Sequence, residues 1–224
     1  MILYPVILIL LSIAALSAYA SIFIGSGFYL KAECRLKTDE KLLALTFDDG
    51  PVCRTTVEIC DILDRYGIKA AFFLIGSRIE GNEHILRQLS SSGHLVGNHS
   101  TGHIPTFPLF SADKMIADLK LCDDLILKST GVKPAWFRPP FGITNPAVGK
   151  AAKSGKYRVM GWNIRSFDTI KKPDTVIRRI EKRLKPGAVI LLHDDRPNTV
   201  RILPAIIESA LKRGYRFVRP DEFL

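Results

Sequence analysis

Residues Leu42–Gly50 read Leu-Leu-Ala-Leu-Thr-Phe-Asp-Asp-Gly, a short run suited to burial that ends abruptly in two adjacent carboxylates. A non-alternating apolar run of this length predicts a strand covered on both faces, over Leu42–Phe47. The same signature recurs at Ala70–Gly76, Leu95–Asn98, Ala135–Arg138, Arg158–Asn163, Ala188–His193 and Tyr215–Val218. Between these runs the apolar spacing turns helical, over Thr55–Tyr66, Asn82–Ser92, Ser111–Thr130, Asn145–Ser154, Asp174–Leu184 and Val200–Arg213. Gly67, Gly93, Gly131, Gly155, Gly187 and Gly214 close those stretches, as C-terminal caps do. Strands alternating with helices imply parallel pairing through βαβ crossovers, hence an α/β fold. A closed barrel and an open doubly wound sheet satisfy this pattern equally.

The polar residues fall where such a fold would gather them. Asp48 and Asp49 follow the first strand, His99 the third, and Arg138 ends the fourth. Asp168 lies just past the fifth, and His193 and Asp194 end the sixth. In parallel α/β architectures the C-terminal strand ends share one rim, where loops build the site. Each piece alone has an ordinary reading: an aspartate capping a helix, two histidines in a glycine-rich loop, a rigid Pro-Pro turn. Their coincidence at one rim points to an enzyme. One Asp and two His form a three-ligand metal site with open positions for water and substrate. The second Asp can take the water's proton, an arginine keeps it ionised, and a carboxylate-paired histidine can protonate a leaving amine. This is the equipment of metal-assisted amide hydrolysis.

Composition sets the bounds. The chain has 224 residues, 47% of them hydrophobic and 24% charged, with a formal net charge of +10 and four cysteines. That excludes a disordered chain and a disulfide-held scaffold. Residues 2–30 contain no Asp, Glu, Lys, Arg or His, a stretch longer than the ~20 residues that cross a bilayer. No basic residue precedes it and no convincing cleavage site ends it, so residues 1–30 are expected to be a transmembrane helix that stays attached as an anchor. Residues 31–41 are then expected to be a tether and 42–224 the catalytic domain. The basic cluster from Lys171 to Lys185 reads as the solvated face of an amphipathic helix. No nucleic-acid motif appears, so nucleic acid is not expected as a partner. The cysteines form no Cys-x-x-Cys pair and read as small, mostly buried apolar residues.

Over Leu42–Leu224 the chain resembles the polysaccharide deacetylases of carbohydrate esterase family four, which carry the NodB homology domain. The resemblance rests on Thr46-Phe47-Asp48-Asp49-Gly50, His99-Ser100-Thr101-Gly102-His103, Arg138-Pro139-Pro140-Phe141-Gly142, Trp162 through Asp168, and Leu191-Leu192-His193-Asp194. It implies a distorted (β/α)7 barrel and removal of N-acetyl, less often O-acetyl, groups from an acetylated glycan. By motif match, Asp48 is implied as general base, with Asp49, His99 and His103 holding zinc, or cobalt, nickel or manganese in its place. Arg138 would orient Asp48, and His193 supported by Asp168 would be the general acid. The Phe141 amide would stabilise the oxyanion, while Leu191 and Trp162 line the acetyl pocket. The fourth motif departs from the family's Asp-x-x-Asp-Trp, reading Arg165-Ser166-Phe167-Asp168-Thr169, and Phe141 stands where tyrosine is common.

Two other readings compete: an amidase on the same barrel acting on non-sugar linear or cyclic amides, and a non-catalytic basic protein binding membrane or anionic polymer. The two signals for orientation conflict. Lys31, Arg35 and Lys37 flank the apolar segment and by the positive-inside rule place the domain in the cytoplasm. The family resemblance implies the outer, periplasmic or extracellular side, and that orientation is preferred.

Overall fold

The computed structural model describes residues 3–224; Met1 and Ile2, the first residues of the expected anchor, lie outside the described residues. The elements run α1 (Leu3–Ile22), β1 (Ala32–Glu33), β2 (Leu42–Gly50), α2 (Thr55–Arg65), β3 (Ala71–Leu74), α3 (Glu83–Ser91), β4 (Leu95–Asn98), α4 (Ala112–Thr130), β5 (Trp136–Phe137), α5 (Pro146–Ser154), β6 (Arg158–Met160), β7 (Ile164–Arg165), α6 (Pro173–Arg183), β8 (Ala188–His193), α7 (Pro197–Lys212) and β9 (Arg216–Phe217). The strands pair in parallel in the order β1-β6-β5-β4-β3-β2-β8-β7. This order decides between barrel and open sheet. Strands β6 and β7 lie six places apart, roughly 29 Å in a flat sheet. They are joined by residues 161–163 alone, which span at most about 14 Å. The sheet must therefore curl until these strands meet, giving a distorted (β/α)7 barrel built from β2 to β8.

The seven ring strands are not the seven expected ones. The run Arg158–Asn163 stops at Met160 as β6, and a new strand, β7, starts at Ile164. The Tyr215–Val218 run forms β9 outside the ring, against Leu42 and Leu43 at the start of β2. The break at residue 160 has a local cause. The Arg138 guanidinium donates to the carbonyls of Met160 and Gly161, both at 3.0 Å, which takes those acceptors out of strand pairing.

The N-terminal segment also differs from expectation. The helix ends at Ile22, and Phe23–Leu30 turns through a 3-10 turn at Ile24–Ser26 and a left-handed Gly27 onto the barrel. Residues 31–41 are no free tether. Strand β1 pairs with Val159 and Met160 on one side of the barrel's gap, and Gly161 N donates to Glu33 O at 2.9 Å. On the other side, Arg35 bridges Ala188 and Leu36 N donates to Gly187 O at 2.9 Å. The reason is geometric: β7 pairs only with Ile190 and Leu191, leaving the start of β8 without a strand on the side away from β2. Leu36 is buried below this seam with Leu42, Ala44 and Val189.

The pleat of β2 sorts its residues. Leu43, Leu45 and Phe47 face the outer core with α2, α3, α6 and α7, while Leu42 and Ala44 face the inner cluster. Period-two alternation then turns Thr46 and Asp48 inward as well, beside the buried Arg138. Helix α1 over Tyr4–Ile22 is long and apolar enough to cross a bilayer, and Tyr4 to Tyr19 are exposed. Cys60 and Cys122 are buried as expected, whereas Cys53 is exposed.

If residues 31–41 are part of the barrel, Leu36→Ala should destabilise the protein by about 2–5 kcal/mol, as for a buried leucine. Unfolding of the detergent-solubilised chain by denaturant measures this. A change within about 0.5 kcal/mol, typical of an exposed site, would restore the tether reading.

Candidate active site

The parallel register brings the ends of β2 and β8 together, with Asp48 opposite His193. Arg138, one residue beyond β5, reaches across the interior to donate from Nη1 to Asp48 Oδ1 at 2.6 Å and to Thr46 Oγ1 at 3.0 Å. Its guanidinium lies 4.3 Å from the Phe73 ring centre. Planar stacking, carbonyl acceptors and a carboxylate together satisfy a fully buried cation. This arrangement holds Asp48 in one rotamer, with its second oxygen 3.7 Å from His99 Nε2.

Asp49 sits at a register shift in β2 with φ of 77°, which turns it away from the ladder and over the rim. His99 Nε2 and His103 Nε2 lie 3.6 and 3.4 Å from Asp49 Oδ1. His99 donates from Nδ1 to the Arg138 carbonyl at 2.7 Å, which leaves Nε2 as the free lone pair. Burial, helped by His99, pushes His103 down to about 4 against the pull of Asp49 and Asp48, so it is neutral near pH 7. Burial alone would raise Asp49, but the fields of His99 and His103 hold it below the usual carboxylate range. The three potential donor atoms lie within 4.8 Å of one another, and Asp49 Oδ1 is buried without a hydrogen-bond partner. A buried anionic oxygen left bare between two imidazoles fits a cation.

His193 faces the same space. Its Nδ1 meets Asp168 Oδ1 at 2.8 Å, and its backbone N donates to Asp168 Oδ2 at 2.7 Å. Thr199 and Ser166 hydroxyls also donate to Asp168, at 2.7 and 2.8 Å. Burial works against a charged imidazole, but the bond to Asp168 and its charge win, lifting His193 to about 9. Burial likewise opposes ionised Asp168, which its hydrogen bonds and His193 nonetheless hold low.

Eight of the ten expected site residues, Asp48, Asp49, His99, His103, Phe141, Trp162, Leu191 and His193, line one cavity of about 350 Å³. The other two, Arg138 and Asp168, lie directly behind Asp48 and His193. Phe141 takes φ of 61° and its ring lies tilted against His103, 4.6 Å between centres, and Gly142 follows at φ of 70° against the Trp162 ring. Asp49, Ser100, His103, Phe141 and Phe167 all have positive φ without being glycine. Such backbone strain gathers at functional loops.

Several supporting roles escaped the sequence reading, some of them at residues inside the motifs. Asp194 is fully buried, pushed up to about 8 by that burial despite a 2.6 Å hydrogen bond from Thr56. A Cβ on Gly50 would overlap the Asp194 carboxyl group, so glycine is required there. Arg78 donates to the Asp49 carbonyl. Asn98 receives Ser100 N on its Oδ1 and donates to Asp123 at 2.7 Å, which fixes the histidine loop. The Thr56 and Arg78 partnerships join residues far apart in sequence, and no motif signals them. Arg165, Thr169, Ile170 and Arg196 also line the cavity.

Comparison with known proteins gives a consistent result. The family model described as polysaccharide deacetylase matches residues 35–160. A Bacillus cereus peptidoglycan-N-acetylglucosamine deacetylase is 34% identical over 192 residues, covering 83% of this chain and 89% of that protein. The solved peptidoglycan deacetylase PdaC of Bacillus subtilis superposes with a TM-score of 0.76 at 31% identity, covering 81% of this chain and 89% of that one. The chain spans only 40% of the length of full PdaC. A family-four pseudoenzyme from Bacillus anthracis superposes with a TM-score of 0.78 at 27% identity, covering 85% of this chain and 67% of that one. The fold alone therefore does not carry activity; the side chains of the site must.

The His193–Asp168 pair makes a pH prediction. The His193 value is raised above its ordinary 6.5, so its stabilising contribution is full below that pH and lost as pH rises through about 9. The Asp168 contribution runs oppositely and is lost as acid protonates it below the ordinary carboxylate range. An NMR titration should place the His193 midpoint near 9, falling in Asp168→Asn as burial acts unopposed. A midpoint at or below 6.5 in the unaltered protein would contradict the pairing.

Proposed function

The chain belongs to the polysaccharide deacetylase family, and from that premise we propose that it is a metal-dependent hydrolase removing N-acetyl, or less readily O-acetyl, groups from an envelope glycan such as peptidoglycan. The observation that carries this reading is the convergence of three units around one cavity: Asp49–His99–His103, Asp48–Arg138 and His193–Asp168. The bare Asp49 oxygen between two imidazoles fits a divalent ion, zinc foremost, or cobalt, nickel or manganese. Such an ion would supply Lewis acidity to the acetyl carbonyl and lower the pKa of water.

The protein's own groups divide the remaining work. Asp48, oriented by its hydrogen bond from Arg138, takes the proton from the attacking water. The Phe141 amide, in a left-handed turn at the cavity wall, stabilises the developing oxyanion. Leu191 and Trp162 enclose the acetyl methyl. His193, protonated at neutral pH through Asp168, delivers a proton to the departing sugar amine. Thr169 stands in the cavity wall at the position where the family motif has tryptophan, a change that bears on substrate preference and not on the reaction type. The retained acid, base and ligand set favours this reading over a non-catalytic polymer-binding protein. The catalytic unit begins with the seam-forming residues after α1, and α1 anchors it with the barrel on the outer side of the inner membrane.

Acetate release from N-acetylglucosamine oligomers and peptidoglycan tests the activity, and a chelator should abolish it until metal is restored. Undiminished release by metal-free protein would sink the metal role. His99→Ala and His103→Ala should each lower bound metal and rate. Asp48→Asn should keep metal but lose roughly 10²–10⁴-fold in rate. His193→Ala should lose activity together with the alkaline fall of the pH profile, and near-normal rates in both variants would refute the assigned roles. For orientation, alkaline phosphatase fused after Leu224 should be active in a bacterial host; a fluorescent cytoplasmic reporter and protease protection in spheroplasts would reverse it.

A further inference from the structure

The last turn of α1 is built into the wall of the candidate site. Ala20 and Ile24 are buried, although the helix before them is exposed throughout. A helix end leaves carbonyls without intrahelical donors. Here Thr144 supplies two of the missing donors: its Oγ1 donates to Ala20 O and its N to Ser21 O, both at 2.9 Å. Thr144 lies three residues after Phe141, in the same loop. The helix therefore reaches the barrel at the rim that carries the cavity, with no flexible linker between.

From this junction a set of exposed apolar side chains extends around the mouth. Phe23 and Phe28 flank the turn that follows α1, with Phe28 62% exposed. Asn145, next to Thr144, donates to the Pro108 carbonyl at 2.7 Å, which places Leu109, 83% exposed, beside the junction. Ile104 adjoins His103, whose ring lies 4.6 Å from that of Phe141. Ile170, 73% exposed, lines the cavity together with Phe141. Arg165 and Arg196 complete the mouth. Exposed apolar residues gathered around one opening mark an interaction surface, and cations beside them suit anionic headgroups.

We propose that this rim lies on the lipid surface, so that the cavity opens at headgroup level onto a glycan held at the membrane. The proposal rests on α1 spanning the bilayer, as proposed above. The lipid surface is the specific occupant because the patch adjoins the end of a bilayer-length helix. If Ile22 marks the limit of the hydrocarbon, Phe23, Phe28 and Leu109 sit in the interfacial layer, where aromatic and apolar anchors belong. The rigid junction then fixes the height and tilt of the barrel, which a flexible tether over residues 31–41 would leave free.

The test uses the full chain in vesicles of phosphatidylethanolamine and phosphatidylglycerol, with exposed Cys53 replaced by serine. Single labels are placed by L109C, I170C or, as a control, V132C. Val132 is also apolar and exposed but lies before β5, at the opposite end of the barrel. Lipids spin-labelled near the headgroup should quench the probes at 109 and 170 at least about threefold more than at 132. Because the quencher is in both leaflets, the direction of insertion does not matter. Equal, weak quenching at all three positions would overturn the proposal. Should a label disturb the fold, amide exchange of residues 104–110 in the unlabelled chain decides: protection in vesicles beyond that of Val132 supports the contact, and none refutes it. Neither readout requires catalysis, so failure of acetate release leaves this result standing, and the reverse also holds.

Discussion

The buried Arg138–Asp48 pair governs both the fold and the site. Arg138 has no exposed surface, and burying a guanidinium is tolerable only when its donors are all engaged and its charge is met. Here Nη1 serves Asp48 and Thr46, while Nε and Nη2 serve Met160 and Gly161. The first two bonds orient a carboxylate at the end of β2. The other two occupy the carbonyls at the barrel's break, so the same side chain that positions the proposed base also ends β6. Removing either charge would strand the other in a dry interior, a loss on the order of 3–5 kcal/mol for a buried pair.

Around this pair the barrel is asymmetric. On the β2–β3–β4 side, long ladders and a packed outer core provide rigidity. On the β6–β7 side, hydrogen bonds to the N-terminal segment replace a missing strand pairing. The site straddles these regions. The ligand set stands on the firm side, and the Phe141 loop and Trp162 stand on the seam side, where the α1 end and residues 32–36 also bind. Loops that close a cavity over a substrate are best placed where packing is least redundant.

Electrostatics divide the cavity floor in the way hydrolysis of an amide demands. His103 is kept neutral by burial, as a ligand requires, while His193 is kept charged by a carboxylate that three other donors hold in place. Two imidazole environments with opposite protonation sit a few residues from two carboxylates with distinct partners. Such a separation of proton affinities is what the proposed ligand, base and acid roles require at one pH.

The sequence by itself determined the alternation of elements, the six barrel helices to within a few residues, and the chemistry-bearing positions. Those signals are local: apolar period, glycine caps, and polar residues placed where strands end. It also determined that Asp48, Asp49, His99 and His193 would share a rim, because parallel strands put all C-terminal ends on one side. Only the tertiary structure decided that the sheet closes, since closure depends on which strands are neighbours and not on what each strand contains. The same holds for the split of Arg158–Asn163 into β6 and β7, caused by a side chain twenty residues upstream, and for the exclusion of β9 from the ring. The residues after α1 read as a charged linker, yet they fill a gap that exists only once β7 proves too short. Partnerships such as Thr56 with Asp194 and Thr144 with Ala20 span more than a hundred residues. They are properties of the folded surface and leave no periodic trace in the chain.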